Sequence, residues 1–170
     1  MRTGLRLLIS ALALGVAGFF IYRQLAPDNT AVDALYAATL PDQNGQPQAL
    51  SQWRANIVLV NFWATWCPPC REEMPELSDF QEKYRARNVI VLGISTDDVA
   101  KISEYSKAHP VSYPLLAGDF QAMVLAERLG NNKGALPYSV LIDPKKGVRR
   151  IYFGRIDIQQ LERDVRGIVE

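Results

Sequence analysis

Histidine is almost missing from this chain, cysteine is scarce, and neither sign of charge prevails. The 170 residues hold one histidine, two cysteines, 19 basic and 18 acidic side chains, for a formal net charge of +1. A balance this close to zero points to neither a nucleic-acid binder nor a charged interaction tail, so no nucleic-acid partner is expected. A structural zinc site takes four ligands, usually Cys or His. The chain offers Cys67, Cys70 and His109 alone, so a zinc site within one chain would need a carboxylate and an unusual fold. There is no internal repeat and no low-complexity tract. What remains is an ordinary globular composition, 48% hydrophobic and 22% charged, at a length that suits one domain with a real core.

Charge is unevenly spread. The first 26 residues carry Arg2, Arg6 and Arg23 and no acid, so the body behind them is mildly acidic. Between these arginines, Leu7 to Tyr22 is free of charge, with Ser10 its only clearly polar residue. At ~1.5 Å per residue the run covers ~24 Å, just short of a ~30 Å hydrocarbon core, and snorkelling Arg6 and Arg23 extend its reach. Arginines ahead of the run put the N-terminus in the cytoplasm and the body outside it. The run ends in "FFIY", a poor context for signal-peptide cleavage. An uncleaved single-pass anchor at the bacterial inner membrane is therefore expected, with a periplasmic or otherwise extracytoplasmic body; a cleaved leader would release it to the periplasm. Either route delivers the body to an oxidising compartment where disulfides persist. The division expected is an anchor over residues 1–26, a linker over 27–34 and one domain over 35–170.

Within the domain, Leu35 to Trp53 reads as a strand, an Asn44-Gly45 turn and a second short strand. Asn56 to Ala64 is a nearly continuous apolar run rich in valine, the pattern of a strand buried on both faces. A helix is expected from about Pro68 to Arg87, with Leu77, Phe80 and Tyr84 inward and a kink at Pro75. "NVIVLGIST" is a second buried strand. Helices over about Val99 to Ala108 and Phe120 to Leu129 follow, joined by "HPVSYPLLAGD". "PYSVLIDPKKGVRRIYFG" reads as two strands meeting at Lys146-Gly147, and a last helix runs from about Ile158 to Val169 with Asp157 as N-cap. The order implies an α/β sandwich of mixed strand direction.

Both cysteines lie in "NFWATWCPPCREEMPEL". A staple closing so short a loop restrains little of the unfolded chain, and adjacent Pro68-Pro69 is unlike a random core segment. Redox exchange is the favoured reading. Thiolate is the attacking species, and Cys67 falls where a buried strand meets a helix, near the N-cap. Helix dipole and free amides favour a negative sulfur there. Pro68 and Pro69 stiffen the turn but withhold donors from the sulfur. Cys70 lies one turn on, more buried, poised to resolve a mixed disulfide. Arg71 adds positive potential nearby or merely decorates the helix, and Thr65 flanks the site.

"VNFWATWCPPC", "REEMPEL" and the downstream "GALPYSVLID" together resemble the membrane-anchored thioredoxin-like thiol–disulfide oxidoreductases of the TlpA/ResA/CcmG type, over about residues 35 to 170. The resemblance implies a thioredoxin fold with an N-terminal β-hairpin and a central strand–helix insert. It implies reduction of disulfides in partner proteins, apocytochrome c or metal-site assembly factors among them. Electrons would come from a membrane thiol reductant, with the Cys67–Cys70 pair itself in place of any cofactor. It also implies roles for single residues. Trp66 and Leu136 would contact substrate, beside Pro137 as a cis-proline. Glu73 would handle the proton of the cysteine pair, although Glu72 and Glu73 also suit a solvated first turn. One position departs: thioredoxins proper carry a buried Asp six residues before the first cysteine, and here that residue is Asn61, which cannot take a proton.

Two other chemistries stay open. "VLGISTDD" and the insert also resemble thiol peroxidases, although Cys67 follows Trp63-Ala64-Thr65-Trp66 rather than the usual peroxidatic context. A copper chaperone using the thiol pair and His109 would exploit soft ligands.

Overall fold

The computed structural model describes residues 29–169, so the expected membrane anchor lies outside the described residues. Among the described residues no helix is long and apolar enough to cross a membrane.

Five strands form the central sheet: β3 (Ile57–Trp63), β4 (Val89–Ser95), β5 (Leu115–Ala117), β6 (Tyr138–Asp143) and β7 (Gly147–Phe153), in the order β5-β4-β3-β6-β7. A separate two-stranded hairpin, β1 (Thr39–Pro41) and β2 (Pro47–Ala49), precedes it. Strand β3 pairs in parallel with β4, and β4 with β5; β6 runs antiparallel to both β3 and β7. Every residue of β3 is buried, as expected of a strand with neighbours on both edges and helices on both faces. Its alternation assigns the faces. Val58, Val60 and Phe62 pack with Val32, Leu35, Ala122 and Leu125, from helices α1 (Thr30–Ala37) and α4 (Asp119–Arg128). Leu59 and Trp63 pack with Met74, Leu77, Phe80, Ile102 and Leu161, from α2 (Pro68–Tyr84), α3 (Val99–Ala108) and α5 (Ile158–Val169). This is the mixed sheet, with leading hairpin and strand–helix insert, that the sequence resemblance implies.

Two elements differ from the sequence reading. Residues 30–34 of the expected linker and 35–37 of the expected first strand form α1, which buries Val32, Leu35 and Tyr36 against the sheet. Its apolar positions are spaced for a helix, while the Pro/Asp/Asn run just before it signals a turn. The connection "HPVSYPLLAGD" contains strand β5, three residues long and fully buried. A run that short has no periodicity to read, and pairing with β4 decides it. Helix α2 runs through Pro75 without a break to Tyr84, and its inward face carries Leu77, Phe80 and Tyr84. Asp157 caps α5 as expected, accepting from the Gln159 and Gln160 amides.

Because β5 is so short, it pairs only with Gly93, Ile94 and Ser95 of β4. The Val89 and Val91 backbone groups on that edge would otherwise be orphaned in the core. Buried Gln81 of α2 takes the place of a strand: its Nε2 donates to Val89 O at 3.1 Å and its Oε1 accepts from Val91 N at 2.6 Å. The hairpin covers β5 in turn through a bridge between Asp42 and Leu116. Both devices close a sheet edge that would otherwise invite pairing. Replacing Gln81 with Ala strands one buried donor and one buried acceptor, and should lower stability by about 2–4 kcal/mol in urea unfolding.

Candidate active site

Strand β3 aims the chain at the site. Its last residue is Trp63, and Ala64 to Trp66 turn the backbone into Cys67, the N-cap of α2. The turn is held from the neighbouring strand. Asp97, just beyond β4, accepts from the Thr65 amide at 2.7 Å and from Ser95 Oγ at 3.2 Å, while Lys101 Nζ stands 3.7 Å from its other oxygen. Sequence reading assigned nothing to Asp97. Its signal was a carboxylate directly after a buried strand, too common to single out.

Cys67 and Cys70 are joined in a disulfide, with S–S 2.03 Å and Cα–Cα 5.3 Å. Cys67 is 4% exposed and Cys70 0%, so both sulfurs lie buried in the oxidised protein. Pro68 and Pro69 occupy the first two helical positions and carry no N–H. The Arg71 amide already serves Cys67 O at 3.2 Å. Cys70 N–H is thus the one backbone donor of the first turn left free to face a sulfur anion at Cys67.

Glu73 lies one turn beyond Cys70, on the same buried face of α2 and fully out of solvent. It is not a solvated first-turn acid. Glu73 Oε1 accepts from Asn61 Nδ2 at 2.7 Å, and Oε2 accepts from the Ile156 amide, in the loop before α5, at 3.0 Å. Asn61 Nδ2 also donates to Ser139 Oγ of β6 at 2.9 Å. Desolvation pushes the Glu73 carboxyl up from 4.5 to about 7, opposed by the Ile156 and Asn61 hydrogen bonds and by the charge of Arg155. Arg155 itself bridges Glu76 at 2.7 Å and Glu72 at 3.7 Å on the helix surface. A buried carboxyl whose pKa lies near 7, one helical turn beyond Cys70, can gain or lose a proton near neutral pH.

Trp66 and Leu136 come together across a groove of about 290 Å³. Trp66 is 67% exposed. Phe62, Met123 and Ala126 complete the apolar lining, with Glu127 and Asn131 as polar rim. The Leu136–Pro137 bond is cis, as the resemblance implies. The loop ahead of it is shaped by Asn131, whose side chain both accepts from Ala135 N and donates to Ala135 O, and by Tyr138, whose hydroxyl donates to Leu129 O. Met123 and Asn131 were not singled out in the sequence, since only the tertiary fold brings the insert helix α4 against Trp66. His109 lies against a different flank, sharing a shallow cleft with Pro68, Arg71, Glu72 and Tyr105. Its ring stacks on Tyr105, and its Nδ1 is 3.2 Å from Tyr105 O. Among the described residues no group of three His, Cys, Asp or Glu side chains is arranged to hold a metal ion.

Comparison with known proteins agrees with this geometry. Residues 31–151 match the AhpC/TSA family. The thiol-disulfide oxidoreductase ResA of Geobacillus kaustophilus is 30% identical over 99% of this chain and 94% of its own length. A thiol:disulfide interchange protein, DsbE, from Chlorobium tepidum superposes with a TM-score of 0.68 at 26% identity, covering 78% of this chain and 93% of its own. Peroxidoxin BcpB of Mycobacterium tuberculosis superposes with a TM-score of 0.65, also at 26% identity, over 77% and 92%.

The raised Glu73 carboxyl makes stability depend on pH. Between 4.5 and about 7 the folded protein holds a proton there that the unfolded chain has released. Stability from this group is therefore complete below the lower value and lost as pH rises through the upper one. Against Glu73→Gln, the oxidised wild type should lose on the order of 2–3 kcal/mol between these limits, read from urea unfolding at a series of pH values.

Proposed function

Since the chain belongs to the AhpC/TSA family and is a thiol–disulfide oxidoreductase of the ResA and DsbE type, we propose that it reduces disulfides in partner proteins outside the cytoplasm. The observation that carries the reading is the Cys67–Cys70 disulfide at the head of α2, bordered by an apolar groove with Trp66 and Leu136 in its walls. That groove suits an extended polypeptide segment lying across the cysteines.

In the reduced enzyme the Cys67 thiolate attacks one sulfur of the substrate disulfide. A mixed disulfide forms and the first substrate thiolate leaves. Cys70 then gives up its proton, and its sulfur attacks Cys67 Sγ. The second substrate thiolate leaves, and the enzyme retains the Cys67–Cys70 disulfide. Two electrons pass to the substrate, whose two sulfurs end as thiols. Glu73 is the group we assign to accept and return the Cys70 proton, because Asn61 cannot take one. A membrane dithiol reductant then attacks the enzyme disulfide and restores both thiols. The basic, apolar residues 1–26 tether the domain over 35–170 to the membrane that holds this donor, with α1 taking up most of the intervening segment. Apocytochrome c and metal-site assembly factors are the substrates favoured by the resemblance.

The family match and the likeness to a peroxidoxin support a second reading. In it, the Cys67 thiolate breaks a hydroperoxide O–O bond, becomes a sulfenic acid and releases the reduced fragment, and Cys70 condenses with it to expel water. Consumption of hydrogen peroxide with dithiothreitol as recycler tests this reading directly.

For the main reading, Cys67→Ser should abolish reduction of insulin disulfides, while Cys70→Ser should accumulate a mixed disulfide with Cys67 that dithiothreitol releases. The sequence leaves open potentials from ~−270 to ~−120 mV, the span from thioredoxin to a strong disulfide oxidant, roughly 7 kcal/mol for a two-electron couple. Equilibration with glutathione should give a value near the reducing end. A midpoint at the oxidising end would make the protein a disulfide former instead.

A further inference from the structure

Three of the buried side-chain polar atoms without a protein partner among the described residues belong to the face of the sheet under α2: Asn61 Oδ1, Trp63 Nε1 and Tyr113 Oη. Asn61 is the informative one, because the same side chain makes two short hydrogen bonds with its other end. A carboxamide has nearly the same shape when its oxygen and nitrogen are exchanged, so its orientation is chosen by the donors and acceptors around it. Here it turns both N–H groups to use and leaves its oxygen bare in the core. The opposite orientation would set Oδ1 against Glu73 Oε1, which an ionised carboxylate does not tolerate. A charge-assisted hydrogen bond outweighs the neglected oxygen.

Ser139 explains how the amide is aimed. In the antiparallel ladder Asn61 stands directly opposite Ser139, so their side chains share one face. Ser139 Oγ takes one of the two Nδ2 hydrogens, and the planar NH₂ group then points the other at Glu73. The Ser139 hydroxyl accepts from the Asn61 amide at 2.9 Å.

We propose that Asn61 and Ser139 act together as positioning residues that hold Glu73 in its ionised form, and so set the pH at which it can take a proton from the cysteine pair. The proposal rests on the proton-carrier reading of Glu73 given above. A purely structural role would make the same two residues a polar plug between β3, β6 and α2, important for stability and silent in titration. The other charged or titratable groups around Glu73 are Glu72 and Glu76 on α2, Arg155 in the loop before α5, and Tyr113 in the segment before β5. None of these lies on β3 or β6, so changes at Asn61 or Ser139 leave that set of charges intact.

The test is a carboxyl titration of the oxidised protein, with glutamate side chains labelled with carbon-13 and the Glu73 resonance identified by its loss in Glu73→Gln. Ser139→Ala frees the amide to turn, and the Glu73 midpoint should rise by about half a pH unit, roughly threefold in proton affinity. Asn61→Leu removes the donor altogether and should raise it by about one unit or more, at least tenfold. A Ser139→Ala protein that folds but keeps the wild-type midpoint overturns the proposal, even if it is less stable. Should Asn61→Leu fail to fold, Ser139→Ala decides alone. Midpoints that move, alongside a Glu73→Gln enzyme whose exchange rate keeps the wild-type pH profile, would support the positioning role and remove Glu73 as the proton carrier. Unmoved midpoints with an altered Glu73→Gln profile would do the reverse.

Discussion

The hydrogen bond from Asn61 Nδ2 to Glu73 Oε1, 2.7 Å long and closed to solvent, joins the central strand to the helix that carries both cysteines. A carboxylate taken out of water must recover its lost hydration from fixed donors. Here those donors come from β3 and from the loop before α5, and β6 supports the first of them through Ser139. The requirement thus ties four parts of the chain to one side chain. Apolar packing alone would leave α2 free to settle in more than one register on the sheet, since leucine and phenylalanine contacts are not directional. The polar chain removes that freedom beside the redox pair.

The rest of the site follows from where β3 ends. A strand paired on both edges and packed on both faces has little freedom, and the chain leaving it must turn into α2 at once. Cys67 therefore stands at the helix N-terminus, where the dipole favours an anion, while the two prolines strip that terminus of all but one free donor. Asp97 fixes the approach from one side. Asn131 shapes the loop that presents Leu136 and Pro137 on the other. The groove between them has one wall from the insert helix α4, so its lining is drawn partly from a segment remote in sequence from the cysteines.

On the function proposed above, Glu73 takes the part of the strand carboxyl of thioredoxins proper. Here the strand supplies an amide and the helix supplies the acid, and the two meet in a hydrogen bond one helical turn beyond Cys70. Burial alone would push the acid further toward its neutral form; the hydrogen bonds from the Ile156 amide and from Asn61, with the charge of Arg155, pull it back to about 7.

Much of this was legible in the sequence. The valine-rich run of β3, the inward stripe Leu77, Phe80 and Tyr84, the Lys146-Gly147 turn and the Asp157 cap are local patterns, and periodicity or turn chemistry reports them directly. The scarcity of cysteine and histidine with the Cys-Pro-Pro-Cys spacing made redox exchange the favoured chemistry from the sequence. By itself the sequence determined the strand-to-helix junction, the pair of sulfurs on it and the fold class. It did not determine β5, whose three residues become a strand only beside β4. Nor did it determine α1, hidden behind a run of turn-forming residues. Whether Glu73 is a solvated surface acid or a buried one is a matter of which side of α2 meets Asn61, and Ser139 acquires a part only because it lies opposite Asn61 across the β6 ladder. Spacing along a chain reports contacts between near neighbours. Hydrogen bonds between residues 12 and 78 positions apart exist only once the sheet has assembled, and that assembly decided the electrostatics of the site.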